Sequence, residues 1–143
     1  MKDLLKRIST LFLAFILLFS LGSCKYVSSY KAIGLVRSQT NHSLETSFYS
    51  LEGQLVYKLK KTNNKNDGQI SYSIEVEQGE IIIYYDIYSE KEKLVEVSSN
   101  QSVNDKGGYI EGGKPVYIII EAKNSARGKV KIELNDWKGA VKK

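Results

Sequence analysis

The stretch Gln69-Ile70-Ser71-Tyr72-Ser73-Ile74-Glu75-Val76-Glu77 alternates without a fault, with Ile70, Tyr72, Ile74 and Val76 on one side and Ser71, Ser73, Glu75 and Glu77 on the other. A period of two marks a half-buried β-strand, because successive side chains of an extended chain point to opposite faces. Gln78-Gly79 comes next and reads as a tight turn, since glycine takes positive φ without steric cost. The same period recurs on both sides. Upstream, Leu55, Tyr57 and Leu59 share a face against Lys58 and Lys60. Downstream, Ile81, Ile83, Tyr85 and Ile87 oppose Ile82, Tyr84, Asp86 and Tyr88, and a further strand spans Lys93 to Val97. Asn100 to Gly108, rich in Asn, Ser and Gly, reads as a loop. Val116, Ile118, Ile120 and Ala122 then oppose Tyr117, Ile119 and Glu121, and Val130, Ile132 and Leu134 oppose Lys129, Lys131 and Glu133. No segment after residue 24 sustains a 3.6-residue period. The expected fold is therefore all-β: an antiparallel β-sandwich of jelly-roll type over residues 45–135, with a partly open β-barrel as the alternative.

A chain of 143 residues with ordinary apolar content (42%) holds one such core. One Cys and one His exclude an internal disulfide and a zinc site built on His and Cys ligands. The N-terminus has its own logic. Lys2, Lys6 and Arg7 surround a single Asp3, and the unbroken apolar run Leu11 to Phe19 leads to Ser20-Leu21-Gly22-Ser23-Cys24. A basic start, a short apolar stretch and small residues at a cleavage position make a secretory signal. Nine apolar residues rise only about 14 Å as a helix, against ~30 Å of hydrocarbon, so a permanent span is disfavoured.

Leu21-Gly22-Ser23-Cys24 resembles the lipobox of bacterial lipoproteins. The resemblance implies cleavage between Ser23 and Cys24, a diacylglyceryl group on the Cys24 thiol, and a signal peptide of residues 1–23. The membrane is then a partner through the lipid, and the protein stands on the extracytoplasmic face of the cell membrane. Lys25, where an Asp would resemble the inner-membrane retention signal, permits outer-membrane sorting if the cell is Gram-negative. Losing Lys2, Lys6, Arg7 and Asp3 reduces the formal charge from +5 to +3. Neither that modest charge nor the location suits nucleic acid.

Residues 24–44 include Ser28, Ser29, Gly34, Ser38, Thr40 and Asn41 and read as a lipidated tether, although Tyr26-Val27 and Ala32 to Val36 offer material for a first strand. Residues 136–143 form a basic tail. The segment from Tyr109 through Gly112-Gly113 to Tyr117, closed by Gly128 and Val130 to Leu134, resembles the end of bacterial secreted sandwich modules of the pre-peptidase C-terminal and carbohydrate-binding-like type. That resemblance supports a sandwich and transfers no functional residue.

The mature chain lacks the nucleophile-elbow, P-loop, dinucleotide and zinc-protease motifs. No cofactor and no metal are implied, and the chain reads as a non-enzyme. His42 sits in a polar segment and reads as solvated. Thr62 to Gly68 holds oxygen donors but one carboxylate, Asp67, so an Asn-rich turn outweighs a Ca²⁺ loop. Glu75 and Glu77, two apart on one strand face, stand about 6.8 Å apart, within range of a glycosidase pair. The plainer reading is a solvated face with Lys58 and Lys60 as cross-strand partners.

One pattern resists that plainness. Ile82, Tyr84, Tyr88, Tyr117 and Ile119 face away from the predicted core, where polar residues are expected. Two readings stand: these residues are covered by residues 25–44 or by Trp137, or they form a surface for an envelope glycan or protein. The function expected is a lipid-anchored, non-catalytic β-sandwich for binding at the cell surface. A surface glycan hydrolase using Glu75 and Glu77, or a purely structural or stress-related lipoprotein, is the alternative.

Overall fold

The computed structural model describes residues 2–20, 26–61, 66–87 and 90–136. Helix α1 (Lys2–Ser20) precedes seven strands: β1 (Ser29–Ile33), β2 (Val36–Gln39), β3 (Ser43–Leu59), β4 (Gly68–Asp86), β5 (Glu92–Ser98), β6 (Gln101–Ile110) and β7 (Val116–Asp136). All pairings are antiparallel.

Three strands are far longer than strands usually are, and each serves two layers. The first halves of β3 and β4 join the second half of β7 in a layer ordered β2-β3-β7-β4-β6. Their remaining halves form a second layer ordered β1-β3-β7-β4-β5. The layers face each other because the long strands double back. Strand β3, with 17 residues, would reach about 56 Å if straight. Yet the amide of Lys60, just past its end, donates to the carbonyl of Asn41, just before its start, at 2.6 Å.

The fold-back is written in backbone torsions. Gly34 (φ +64°) lies between β1 and β2, Gly53 (+111°) within β3, Asn124 (+60°) and Ser125 (+49°) within β7, Gly79 (+79°) within β4, and Asn100 (+61°) between β5 and β6. These residues form a crease across the whole sheet, and the register slips in β3, β4 and β7 fall on it. At Gly53 a Cβ would stand 2.3 Å from the Ser29 carbonyl oxygen and 2.8 Å from the Tyr30 Cα. Glycine is required there by both torsion and space.

Between the layers the alternating residues form one core. It includes Leu44, Phe48, Leu55, Ile70, Ile74, Ile83, Val97, Ile118, Ile120 and Ile132. Two-layer packing with alternating inward residues makes this an antiparallel β-sandwich.

Four local expectations are corrected. Residues 29–39, assigned above to a tether, are the edge strands β1 and β2, so the fold begins well before residue 45. Gln78-Gly79 is not a hairpin turn; β4 passes through it. Val116 to Lys123 and Lys129 to Leu134 are two halves of β7, not separate strands. Asn100 to Gly108 is largely β6, an edge strand that pairs with β4 alone and therefore stays polar.

Helix α1 stands apart from this core. Its apolar side chains from Leu4 to Leu13 are 55–71% exposed and pack into nothing in the sandwich. No helix among the described residues is long and apolar enough to cross a membrane.

Candidate functional site

The outward face of the first layer carries a row across the sheet that is polar except at its β2 edge. Ser102, Glu75, Lys129, Ser47 and Val36 are successive cross-strand partners from β6, β4, β7, β3 and β2. Where this row approaches the crease, the surface sinks into a groove of about 690 Å³. Tyr49 on β3, Glu75 and Glu77 on β4, Arg127 and Lys129 on β7, and Gln101 on β6 line it. Gly128 brings β7 close to β4: a Cβ there would lie 2.1 Å from the Glu75 carbonyl oxygen.

Arg127 organises the groove. Its guanidinium carbon lies 3.9 Å from the centroid of the Tyr49 ring, its Nε donates to the Tyr49 carbonyl oxygen at 3.4 Å, and its Nη1 stands 4.0 Å from the Glu77 carboxylate. A guanidinium stacked on an aromatic face is held by the ring quadrupole. The Tyr49 side chain nevertheless remains 59% exposed. Lys129 meets Glu45 at 2.9 Å; the contact lowers the Glu45 carboxyl and raises the Lys129 ammonium, in each case chiefly through their hydrogen bond. The groove thus joins an exposed ring to charged and amide groups of both hydrogen-bonding senses.

Glu75 and Glu77 share the outward face, as their spacing predicts. Their partners differ from those expected. Strand β7 separates β4 from β3, so Lys129 stands opposite Glu75 and Arg127 beside Glu77, rather than Lys58 and Lys60. Tyr49 and Arg127 escaped sequence reasoning. The available signal was an outward aromatic beside Ser47, in the first half of a strand whose other outward residues there are small or charged.

The second layer's outward face is built differently. Ile82 is 5% exposed and Ile119 is fully buried. Ile119 lies between Val56 and Tyr84 in register, and Tyr117 between Lys58 and Asp86. Tyr26 crosses over this face. Its ring centroid is 5.5 Å from that of Tyr117, and its hydroxyl donates to the buried carboxylate of Asp86. Burial, aided by Asp86, pushes the Tyr26 hydroxyl up to about 12. Lysines add cover, with Lys91 Nζ 4.4 Å from the Tyr84 ring centroid and Lys58 Nζ 5.9 Å from that of Tyr117. Burial also raises the Tyr84 hydroxyl, with Glu121 contributing. Tyr84 and Tyr117 stay partly exposed, whereas the two isoleucines offer no contact surface. Tyr88, Trp137, Ser23 and Cys24 lie outside the described residues.

Two smaller candidates resolve into structure. Asp67 accepts from the Gly112 amide at 3.0 Å and the Tyr109 hydroxyl at 2.7 Å, which lowers its carboxyl and joins it to the turn at Gly112-Gly113. His42 leads into β3, its carbonyl accepting from the Leu134 amide at 2.8 Å.

No family model and no curated protein matches the chain. Among solved structures, the chain is similar to TmCBM61 in complex with β-1,4-galactotriose, at 12% identity and TM-score 0.44, covering 77% of this chain and 82% of that one. A mutant of CBM29-2, a family 29 carbohydrate-binding module complexed with mannohexaose, gives 14% identity and TM-score 0.41, covering 75% and 78%. A mutant of Xylanase10C from Cellvibrio japonicus, in complex with xylopentaose, gives 11% identity and TM-score 0.37, covering 80% of this chain but 29% of that one.

Proposed function

We propose that this chain is a lipid-anchored extracytoplasmic binding module, held to the membrane by acyl groups on Cys24, whose crease groove takes an envelope glycan without cleaving it. The observation that carries the binding reading is the exposed Tyr49 ring, held by Arg127 beside Glu75, Glu77, Gln101 and Lys129. A flat apolar ring suits the carbon face of a sugar, and the surrounding donors and acceptors suit its hydroxyls. The anchor reading is supported by a helix whose apolar side chains from Leu4 to Leu13 stand exposed, followed in sequence by Leu21-Gly22-Ser23-Cys24. Two or three acyl chains hold a protein on a bilayer where one does not.

Detergent-solubilised protein screened against cell-wall glycan fragments tests the groove. Binding lost in Tyr49→Ala and Arg127→Ala, and kept in Tyr84→Ala, supports it; the reverse pattern overturns it. Cys24→Ala should move the protein from membranes to the soluble fraction.

A hydrolytic reading is favoured by one fact: both carboxylates of the E-x-E pair line the groove. A glycosidase general acid, however, needs a desolvated carboxyl, and both Glu75 and Glu77 stand exposed. Released sugar that disappears in Glu75→Gln would establish the enzyme in place of the binder.

A further inference from the structure

Tyr26 follows the lipobox cysteine by two residues, so at no more than about 3.6 Å per residue the anchored Cα stands within ~7 Å of the Tyr26 Cα. Tyr26 is not on a leash. Its hydroxyl bonds Asp86, which is 1% exposed, and its ring packs on Tyr117. The next residues are stitched along β3: Gln54 Nε2 donates to the Val27 carbonyl at 3.2 Å, and the Val56 amide donates to Ser28 Oγ at 2.9 Å. Strand β1 starts at Ser29. A lipid on Cys24 therefore joins the second layer's outer face with almost no slack.

That face has the chemistry of a headgroup boundary. Tyr26, Tyr84 and Tyr117 place aromatic rings on it, and the Lys58 and Lys91 ammonium groups stand over the Tyr117 and Tyr84 rings. Tyrosine is favoured where one end is apolar and the other wet, and lysine reaches from apolar cover to water. Two nearby acids are paired, Glu96 with Lys93 at 2.8 Å and Glu121 with Lys91 at 3.6 Å, while Glu80 stands against Glu96, which raises the Glu80 carboxyl. The groove lies elsewhere, on the other layer and beyond the crease. Gly53 alone is five residues along β3 from Lys58, about 17 Å.

We propose that the Tyr26, Tyr84 and Tyr117 face rests on the headgroups of the anchoring bilayer, so that the groove is presented away from the membrane. This rests on the lipid at Cys24. The partner is the bilayer surface itself, and the short connection sets the orientation.

The test uses full-length protein matured in a lipoprotein-processing host and reconstituted in phosphatidylglycerol and phosphatidylethanolamine vesicles. Cys24 is the chain's single cysteine, so once it is acylated an introduced cysteine is the one free thiol. A polarity-sensitive dye on Lys58→Cys or Lys91→Cys should be quenched several-fold more by headgroup-labelled lipid than the same dye on Gln101→Cys. Iodide in the water should give the opposite order. A flexible Gly-Ser insert after Cys24 should abolish the difference while the protein stays anchored. Equal quenching at all positions, with the N-terminal lipopeptide confirmed by mass spectrometry, overturns the orientation and leaves the anchor standing. A bare thiol on Cys24 removes the anchor and the orientation together.

Discussion

The two outward faces of the sandwich are made by the same three long strands, and they share almost nothing else. On the first layer the middle strands expose Glu75, Lys129 and Ser47. On the second layer the corresponding positions hold Tyr84, Ile119 and Val56, with Tyr26 laid across. A strand half with apolar residues on both sides is telling the reader that something covers its second side. Here that cover is the segment Tyr26 to Ser28, together with the side chains of Lys58 and Lys91. Among the described residues the polar face has no such cover, and the groove forms there.

The largest expected effect tests the element both faces depend on. Gly128→Val places side-chain atoms against the Glu75 carbonyl and should force β4 and β7 apart, costing more than about 3 kcal/mol, read as loss of cooperative unfolding in urea. Next, Ile119→Ala should cost about 2–5 kcal/mol, as much as Ile118→Ala in the core, because both are fully buried. Ser47→Ala on the polar face should change stability by less than about 0.5 kcal/mol. A small effect at Ile119 would erase the contrast between the faces.

A pH measurement sharpens it further. The folded state holds Tyr26 neutral, with its hydroxyl at about 12 against an ordinary 10.0. The stabilisation is therefore complete below pH 10 and is lost as pH rises towards 12. Tyrosinate absorbance should show a late-titrating component that vanishes in Tyr26→Phe and moves down in Asp86→Asn. Lys129→Gln should also leave stability within about 1 kcal/mol, since its pair with Glu45 is exposed, and should act on ligand binding instead.

Much of this fold is legible in residue alternation. Ile70 to Val76 and Val130 to Leu134 point where their pattern says, and the doubly apolar halves announce a covered face. The crease is not legible, because Gly79 supplies the same positive φ to a hairpin and to a strand that bends and continues. Pairing decides between the two, and pairing is non-local. Strand β6 is hidden for a related reason: an edge strand with one neighbour keeps the polar composition of a loop. In the groove, Glu75 and Glu77 are visible as a local pair. Tyr49 and Arg127 are 78 positions apart and meet only because β7 inserts between β3 and β4.

The crease has a mechanical meaning. Since β3, β4 and β7 run through both layers, peeling one layer's central strand drags its counterpart out of the other, and no half-molecule is left with an intact sheet. Unravelling should therefore be a single concerted event, in which amides at Ile74 and Ile83, on opposite arms of one strand, exchange with deuterium at the same rate under conditions of global opening.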